Sequence, residues 1–180
     1  MVRIYLGHGA AGNPAAMAPW VDGLRARGHE AFALSLPRGK AERAVAALEA
    51  QVSDDSDVVI GGHSFGGRVA SLAAAGVGHD PATPHRRFAG LLCLSYPLHR
   101  PGAPETAGVR TAHWPAITIP ALLLSGRSDP FARIDLLEAA MPALVGGRLV
   151  TWPKMGHTLA PVREEALDFV AAWLGEVPVS

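Results

Sequence analysis

Residues 62–66 read Gly62-His63-Ser64-Phe65-Gly66, which fits G-x-S-x-G. The pattern follows the apolar run Asp57–Gly61, which reads as a strand. It opens the Ala-rich stretch Gly66–Gly76, which reads as a helix. A nucleophile on a sharp strand-to-helix turn sits in strained backbone, so its neighbours must lack Cβ bulk. Gly62 and Gly66 meet that need, and the turn lifts the Ser64 hydroxyl clear of the sheet. The following helix points its positive dipole end at the site. A plain Gly-rich turn with Ser64 as helix N-cap is the simpler account of the five residues. The strand before them and the helix after them favour the nucleophile.

A serine hydroxyl needs a base to take its proton. His157 stands late in the chain, after the strand-like run Arg148–Trp152, in Lys154-Met155-Gly156-His157-Thr158. Gly156 is expected to leave room for an exposed imidazole. The imidazole in turn needs an acid to fix its tautomer. Asp129 follows the run Ala121–Ser125 in Gly126-Arg127-Ser128-Asp129-Pro130, and gives the order Ser, Asp, His. Asp135, the nearest competitor, falls inside a predicted helix and reads as solvated. The backbone N–H of Phe65, next after the serine, is one expected oxyanion donor. The N–H of Ala10, in the loop Gly7-His8-Gly9-Ala10-Ala11-Gly12, is the other. That loop also matches G-x-G-x-x-G. A dinucleotide site would want an acid near the end of the second strand, and Ser35-Leu36-Pro37-Arg38 offers none.

The elements that must hold these residues alternate. Strands are expected at Val2–Leu6, Ala31–Leu36, Asp57–Gly61, Phe88–Tyr96, Ala121–Ser125 and Arg148–Trp152. Helices are expected at Pro14–Arg27 (Asn13 as N-cap, Gly28 closing it), Ala41–Val52, Gly66–Gly76, Arg133–Leu144 and Val162–Leu174. Such alternation implies βαβ units and a parallel sheet. Val58-Val59-Ile60 and Leu122-Leu123-Leu124 are apolar on both faces, as a sheet covered on both sides requires. Gly78–Arg87 and Pro97–Pro120 read as irregular. The five prolines of the second segment preclude an amphipathic helical lid.

With 180 residues, no linker and no internal repeat, residues 1–180 read as a single α/β domain. Formal net charge is +0, so nothing points to nucleic acid. No window reaches the roughly 18 apolar residues of a membrane span, and Met1–Leu6 is too short for a signal h-region. A cytoplasmic protein is expected, with no cofactor and no metal. The one cysteine, Cys93, lies in Gly90-Leu91-Leu92-Cys93-Leu94 and reads as a small core hydrophobe.

His8-Gly9, Gly62-His63-Ser64-Phe65-Gly66, Ser128-Asp129 and Gly156-His157 together make the chain resemble the α/β-hydrolase superfamily over nearly its whole length. Leu94-Ser95-Tyr96-Pro97-Leu98-His99 and Arg110-Thr111-Ala112-His113 resemble, more narrowly, the small capless branch of the testis-expressed protein 30 and NSL-complex subunit 3 group. The chain is distantly similar to dienelactone hydrolases, but those carry cysteine where this chain has Ser64, so their activity is not transferred. The resemblance implies a minimal three-layer α/β/α sandwich with about six parallel strands in order 2-1-3-4-5-6. It implies a serine hydrolase acting on a small ester or thioester as its partner molecule. Two other readings stay open: a catalytically idle domain used for protein contacts, and acyl transfer on the same triad. Arg38, His99, Arg100 and His113 fall on loops near the strand ends and would favour an anionic substrate, although basic loop residues are ordinarily just solvated. Oligomeric state is not readable.

Overall fold

The computed structural model describes residues 2–55, 57–82, 84 and 86–178. Among them are six strands: β1 (Arg3–Gly7), β2 (Glu30–Leu34), β3 (Val58–His63), β4 (Gly90–Leu94), β5 (Ala121–Gly126) and β6 (Gly147–Trp152). The α-helices are α1 (Ala18–Ala26), α2 (Ala41–Glu49), α3 (Phe65–Ala74), α4 (Ala107–Thr111), α5 (Ile134–Ala140) and α6 (Arg163–Leu174). The strands form one sheet in the expected order β2-β1-β3-β4-β5-β6, every pair parallel.

Strand side chains alternate between two cores, because successive Cβ atoms point to opposite faces. Val58, Ile60, Leu91, Cys93 and Leu123 share one core with Val45 and Leu48 of α2, Val69 and Leu72 of α3, and Leu137 of α5. Val59, Leu92, Leu94, Leu122 and Leu124 share the other with Val21 and Leu24 of α1 and Leu167 and Val170 of α6. Each such leucine contributes about 2 kcal/mol of burial. Cys93 is buried, burial raises its thiol pKa far above the usual range, and its sulfur meets the Gly67 carbonyl at 3.7 Å.

Prolines and one strained serine explain where the elements depart from expectation. The single helix expected over Pro14–Arg27 is a 3-10 turn, Pro14–Met17, followed by α1, because Pro19 supplies no N–H to continue the first turn. Asn13 caps it, its side chain accepting from the Ala15 amide, and Gly28 closes α1 at φ +85°. The helix expected to reach Leu144 stops at Ala140 and tightens to a 3-10 turn around Pro142. The fourth strand ends at Leu94, not Tyr96, because Ser95 stands at φ +54°. Pro97–Pro120 holds 3-10 turns and the five-residue α4, anchored by the buried Trp114. Gly78–Arg87 has no helix or strand in its described residues; Thr83 and His85 lie outside them.

Candidate active site

The strand C-termini bring together loops from β1, β3, β5 and β6. Ser64 lies between β3 and α3 at φ 51°, ψ −112°, a region costly for any residue with a Cβ. Its amide donates to the Leu94 carbonyl at 2.8 Å, which ties the turn to β4. The two glycines are needed for space. A Cβ on Gly62 would lie 2.3 Å from the Gly7 carbonyl oxygen, and one on Gly66 would lie 2.1 Å from the same atom. The β1 backbone therefore runs directly against the turn, and only glycine permits it.

Asp129 sits in the turn after β5 with its carboxylate shielded from solvent. Its Oδ1 accepts from the Phe131 amide at 2.8 Å, which sets the carboxylate's orientation. His157 sits in the loop after β6. Its Nδ1 lies 2.8 Å from Asp129 Oδ2 and 3.0 Å from Oδ1. Its Nε2 lies 2.8 Å from Ser64 Oγ. With Nδ1–H donated to the carboxylate, Nε2 is left as the acceptor for the serine proton. Sequence separations of 28 and 93 residues are closed here into one chain of hydrogen bonds.

Three further residues hold this loop, and spacing gave no sign of them. His63 Nε2 donates to the His157 carbonyl at 3.0 Å, and burial lowers the pKa of the His63 ring. The Phe131 ring packs 4.3 Å from the His157 ring. Gly126 lies where a Cβ would be 2.2 Å from the Met155 carbonyl oxygen. Gly156, expected to make room for the imidazole, has open space about it and no positive φ. The close approach falls on Gly126 instead, because the β5 and β6 loops cross at that residue.

Phe65 is the first residue of α3, so its amide has no carbonyl within the helix to bond. The Ala10 amide makes no backbone hydrogen bond among the described residues. Both residues line the same cleft as Ser64. A Cβ on Gly9 would lie 3.9 Å from the Ser64 Cβ, which shows how closely that loop approaches the turn. His8 is buried and holds the loop: its Nδ1 donates to the Gly9 carbonyl at 2.8 Å and its Nε2 accepts from the Leu36 amide at 3.1 Å.

The four loop residues expected near the site divide. Arg100 lines the cleft. His99 is buried away from solvent, bonded to the Arg100 carbonyl and the Arg133 amide. His113 bonds Ser71 on α3, and Arg38 is not among the lining residues. Arg68, Arg110, Lys40 and Arg43 line the cleft as well. Arg68 carried a usable signal, since it stands one helical turn beyond Ser64.

The family model described as an alpha/beta hydrolase domain matches residues 36–173, well over half of the chain. Solved structures agree in fold at low identity. A monoacylglycerol lipase of Paleococcus ferrophilus superposes with TM-score 0.79 at 14% identity, covering 98% of this chain and 95% of that one. Esterase 2 of Thermogutta terrifontis superposes with TM-score 0.75 at 16% identity, covering 99% and 85%. A thioesterase domain from the curacin biosynthetic pathway gives 0.71 at 12% identity, covering 96% and 90%. With the matched residues running from before α2 into α6, the chain belongs to the α/β-hydrolase family.

Proposed function

We propose that this protein is a serine hydrolase that cleaves a small ester or thioester through an acyl-enzyme on Ser64. The observation that carries the reading is the hydrogen-bonded series Ser64 Oγ, His157, Asp129, at 2.8 Å on either side of the imidazole. The lipase, esterase and thioesterase named in the similar structures support it.

Ser64 Oγ attacks the carbonyl carbon as its proton passes to His157 Nε2. The carbonyl oxygen takes the negative charge and is held by the Phe65 and Ala10 amides. Such donors act on charge that develops only in the transition state, and one of them is typically worth about 10²-fold or more in kcat. The intermediate collapses, the bond to the alkoxide or thiolate breaks, and His157 returns the proton to that leaving group. Water then attacks the acyl-enzyme with the same proton relay, releasing the acid and restoring Ser64. Asp129 orients the imidazole and stabilises the imidazolium. Within the family, the segments Leu94–His99 and Arg110–His113 support membership of the small capless branch.

The test is labelling with a serine-directed fluorophosphonate, followed by peptide mapping and an ester panel. The label is expected on Ser64, and Ser64→Ala is expected to abolish both labelling and turnover while far-UV circular dichroism is unchanged. A label on another residue, or turnover that survives the substitution, removes Ser64 from its role.

A further inference from the structure

Ser64 opens into a cleft of about 720 Å³ whose wall is unevenly charged. Lys40, Arg43, Arg68, Arg100 and Arg110 line it against one carboxylate, Glu42. The chain as a whole carries net charge +0, so the excess is a local segregation. The cations come from separate places in the sequence: Lys40 and Arg43 at the start of α2, Arg68 in α3, Arg100 and Arg110 from the segment between β4 and β5.

Outside the cleft most arginines find carboxylates, although Arg38, Arg87 and Arg163 form no ion pair among the described residues. Arg3, Arg27, Arg133 and Arg148, for example, each form an ion pair. In the cleft Arg68 pairs with Glu42 at 3.0 Å, and the other four have no carboxylate partner among the described residues. Two of the five are also held in place. Arg110 Nη1 donates to the Pro97 carbonyl at 2.8 Å, while its own carbonyl accepts from the Tyr96 hydroxyl at 2.7 Å. Burial first, and then the charge of Arg68, lower the pKa of the Arg110 guanidinium below its ordinary value. Arg68 keeps a buried Nε–H with no acceptor. Buried donors are almost always satisfied, so this orphan on a cleft-lining side chain marks a guanidinium whose hydrogen bonding is incomplete. Five cations set round a single carboxylate, with Arg68 and Arg110 held by other contacts, give the cleft an excess of positive charge that suits an anion. The planar, multiply donating geometry of a guanidinium suits phosphate oxygens.

We propose that this cleft holds a phosphate subsite formed by Arg110, Arg100 and Arg68, and that the substrate is an acyl ester or thioester bearing a phosphate, seated there while its carbonyl lies at Ser64. The proposal rests on the serine-hydrolase reading for the reacting carbonyl, but not for the phosphate. The phosphate takes no part in bond making or breaking. It anchors the substrate, so its binding energy appears in kcat/KM.

The experiment has a binding arm and a kinetic arm. In the first, inorganic phosphate is titrated against the protein at constant ionic strength and the thermal midpoint is followed. A saturable rise is expected, lost in Arg110→Gln and in Arg100→Gln and kept in Arg148→Gln at the opposite end of the sheet. No rise in the wild type, or a rise shared equally by all variants, overturns the subsite. In the second arm, S-acetyl-4′-phosphopantetheine is compared with S-acetylpantetheine, and p-nitrophenyl 3-phosphonopropionate with p-nitrophenyl butyrate. These pairs place the anion on the thiol side and on the acyl side respectively. At least a tenfold advantage in kcat/KM is expected within one pair, shrinking to under threefold in Arg100→Gln, whose side chain is exposed and makes no hydrogen bond or ion pair among the described residues. Equal rates within both pairs overturn the substrate class. An equal advantage for the monocarboxylate p-nitrophenyl hydrogen glutarate overturns the choice of phosphate. Failure of the hydrolase reading shows separately, as absence of the fluorophosphonate label at Ser64 with the phosphate-induced midpoint shift intact.

Discussion

Asp129 has two obligations at once, and they make its replacement informative. Its Oδ1 accepts from the Phe131 amide at 2.8 Å while the carboxylate also faces His157 Nδ1. In Asp129→Asn the side-chain oxygen is expected to stay with the Phe131 amide, which makes no other hydrogen bond among the described residues. The new NH₂ group is then turned toward His157 Nδ1 and donates to it. The imidazole must carry its proton on Nε2, where it can no longer take the serine proton. We expect kcat to fall by about 10³-fold or more with little change in thermal midpoint. A loss below tenfold in an ester assay would show that Asp129 does not set the tautomer.

At the scale of elements, two glycines that look alike in the sequence separate cleanly. Gly66 lets α3 start against the backbone of β1, where a methyl group would meet the Gly7 carbonyl oxygen at 2.1 Å. Gly156 has nothing within 4 Å of where its Cβ would stand. Gly66→Ala is expected to cost about 3 kcal/mol or more in urea unfolding, and Gly156→Ala to stay within about 0.5 kcal/mol. Comparable losses would mean that the β1–α3 contact can relax. The packing of Pro97–Pro120 on α3 gives a pH signature. Ser71 Oγ donates to the Arg68 carbonyl, so it accepts from His113 Nε2, at 2.8 Å. Burial first, then the charge of Arg68, lower the His113 pKa from 6.5 to about 4. Below pH 6.5 the unfolded chain therefore binds a proton that the folded chain refuses. Stability falls as pH drops from about 6.5 toward about 4, and this contribution levels off below that. His113→Gln, which keeps a donor for Ser71, should lose less stability than the wild type between pH 7 and pH 4.5 in urea titrations. Equal losses would place the acid sensitivity elsewhere.

At the scale of the whole molecule, the open cleft governs substrate size. Pro97–Pro120 is anchored inward through the buried Trp114, and among the described residues Phe65 and Phe131 are the only large apolar side chains lining the cleft. A fully buried methylene would be worth about 0.8 kcal/mol, or about fourfold in rate. On an open wall we expect less than about twofold per methylene beyond butyrate, with no jump when substrate passes into emulsion. Rates climbing steadily through laurate esters would require an apolar wall that the described residues do not supply.

The three residues that spacing marks share one property: each follows the C-terminal end of a strand. Ser64, Asp129 and His157 follow β3, β5 and β6, and the alternation of elements fixes that edge of the sheet as a shared neighbourhood. Apart from Arg68, one helical turn beyond Ser64, the cations of the cleft have no such marker. Nothing in spacing brings residue 110 beside residues 40 and 68. That meeting depends on Tyr96, Pro97 and Trp114 fastening an irregular segment. The same segment turned His99 and His113 inward, away from the role that their loop positions implied.

Cys93, buried at the centre of the sheet with its thiol pKa raised by burial, makes the native protein chemically silent toward thiol reagents. A cysteine introduced at Arg43 or Arg100 would then be the only one to react, and a fluorophore attached there would report on ligands entering the cleft without removal of a native thiol. Left alone, Cys93 is an internal timer: a maleimide can reach it only when β4 opens, so its modification rate measures how often the core comes apart.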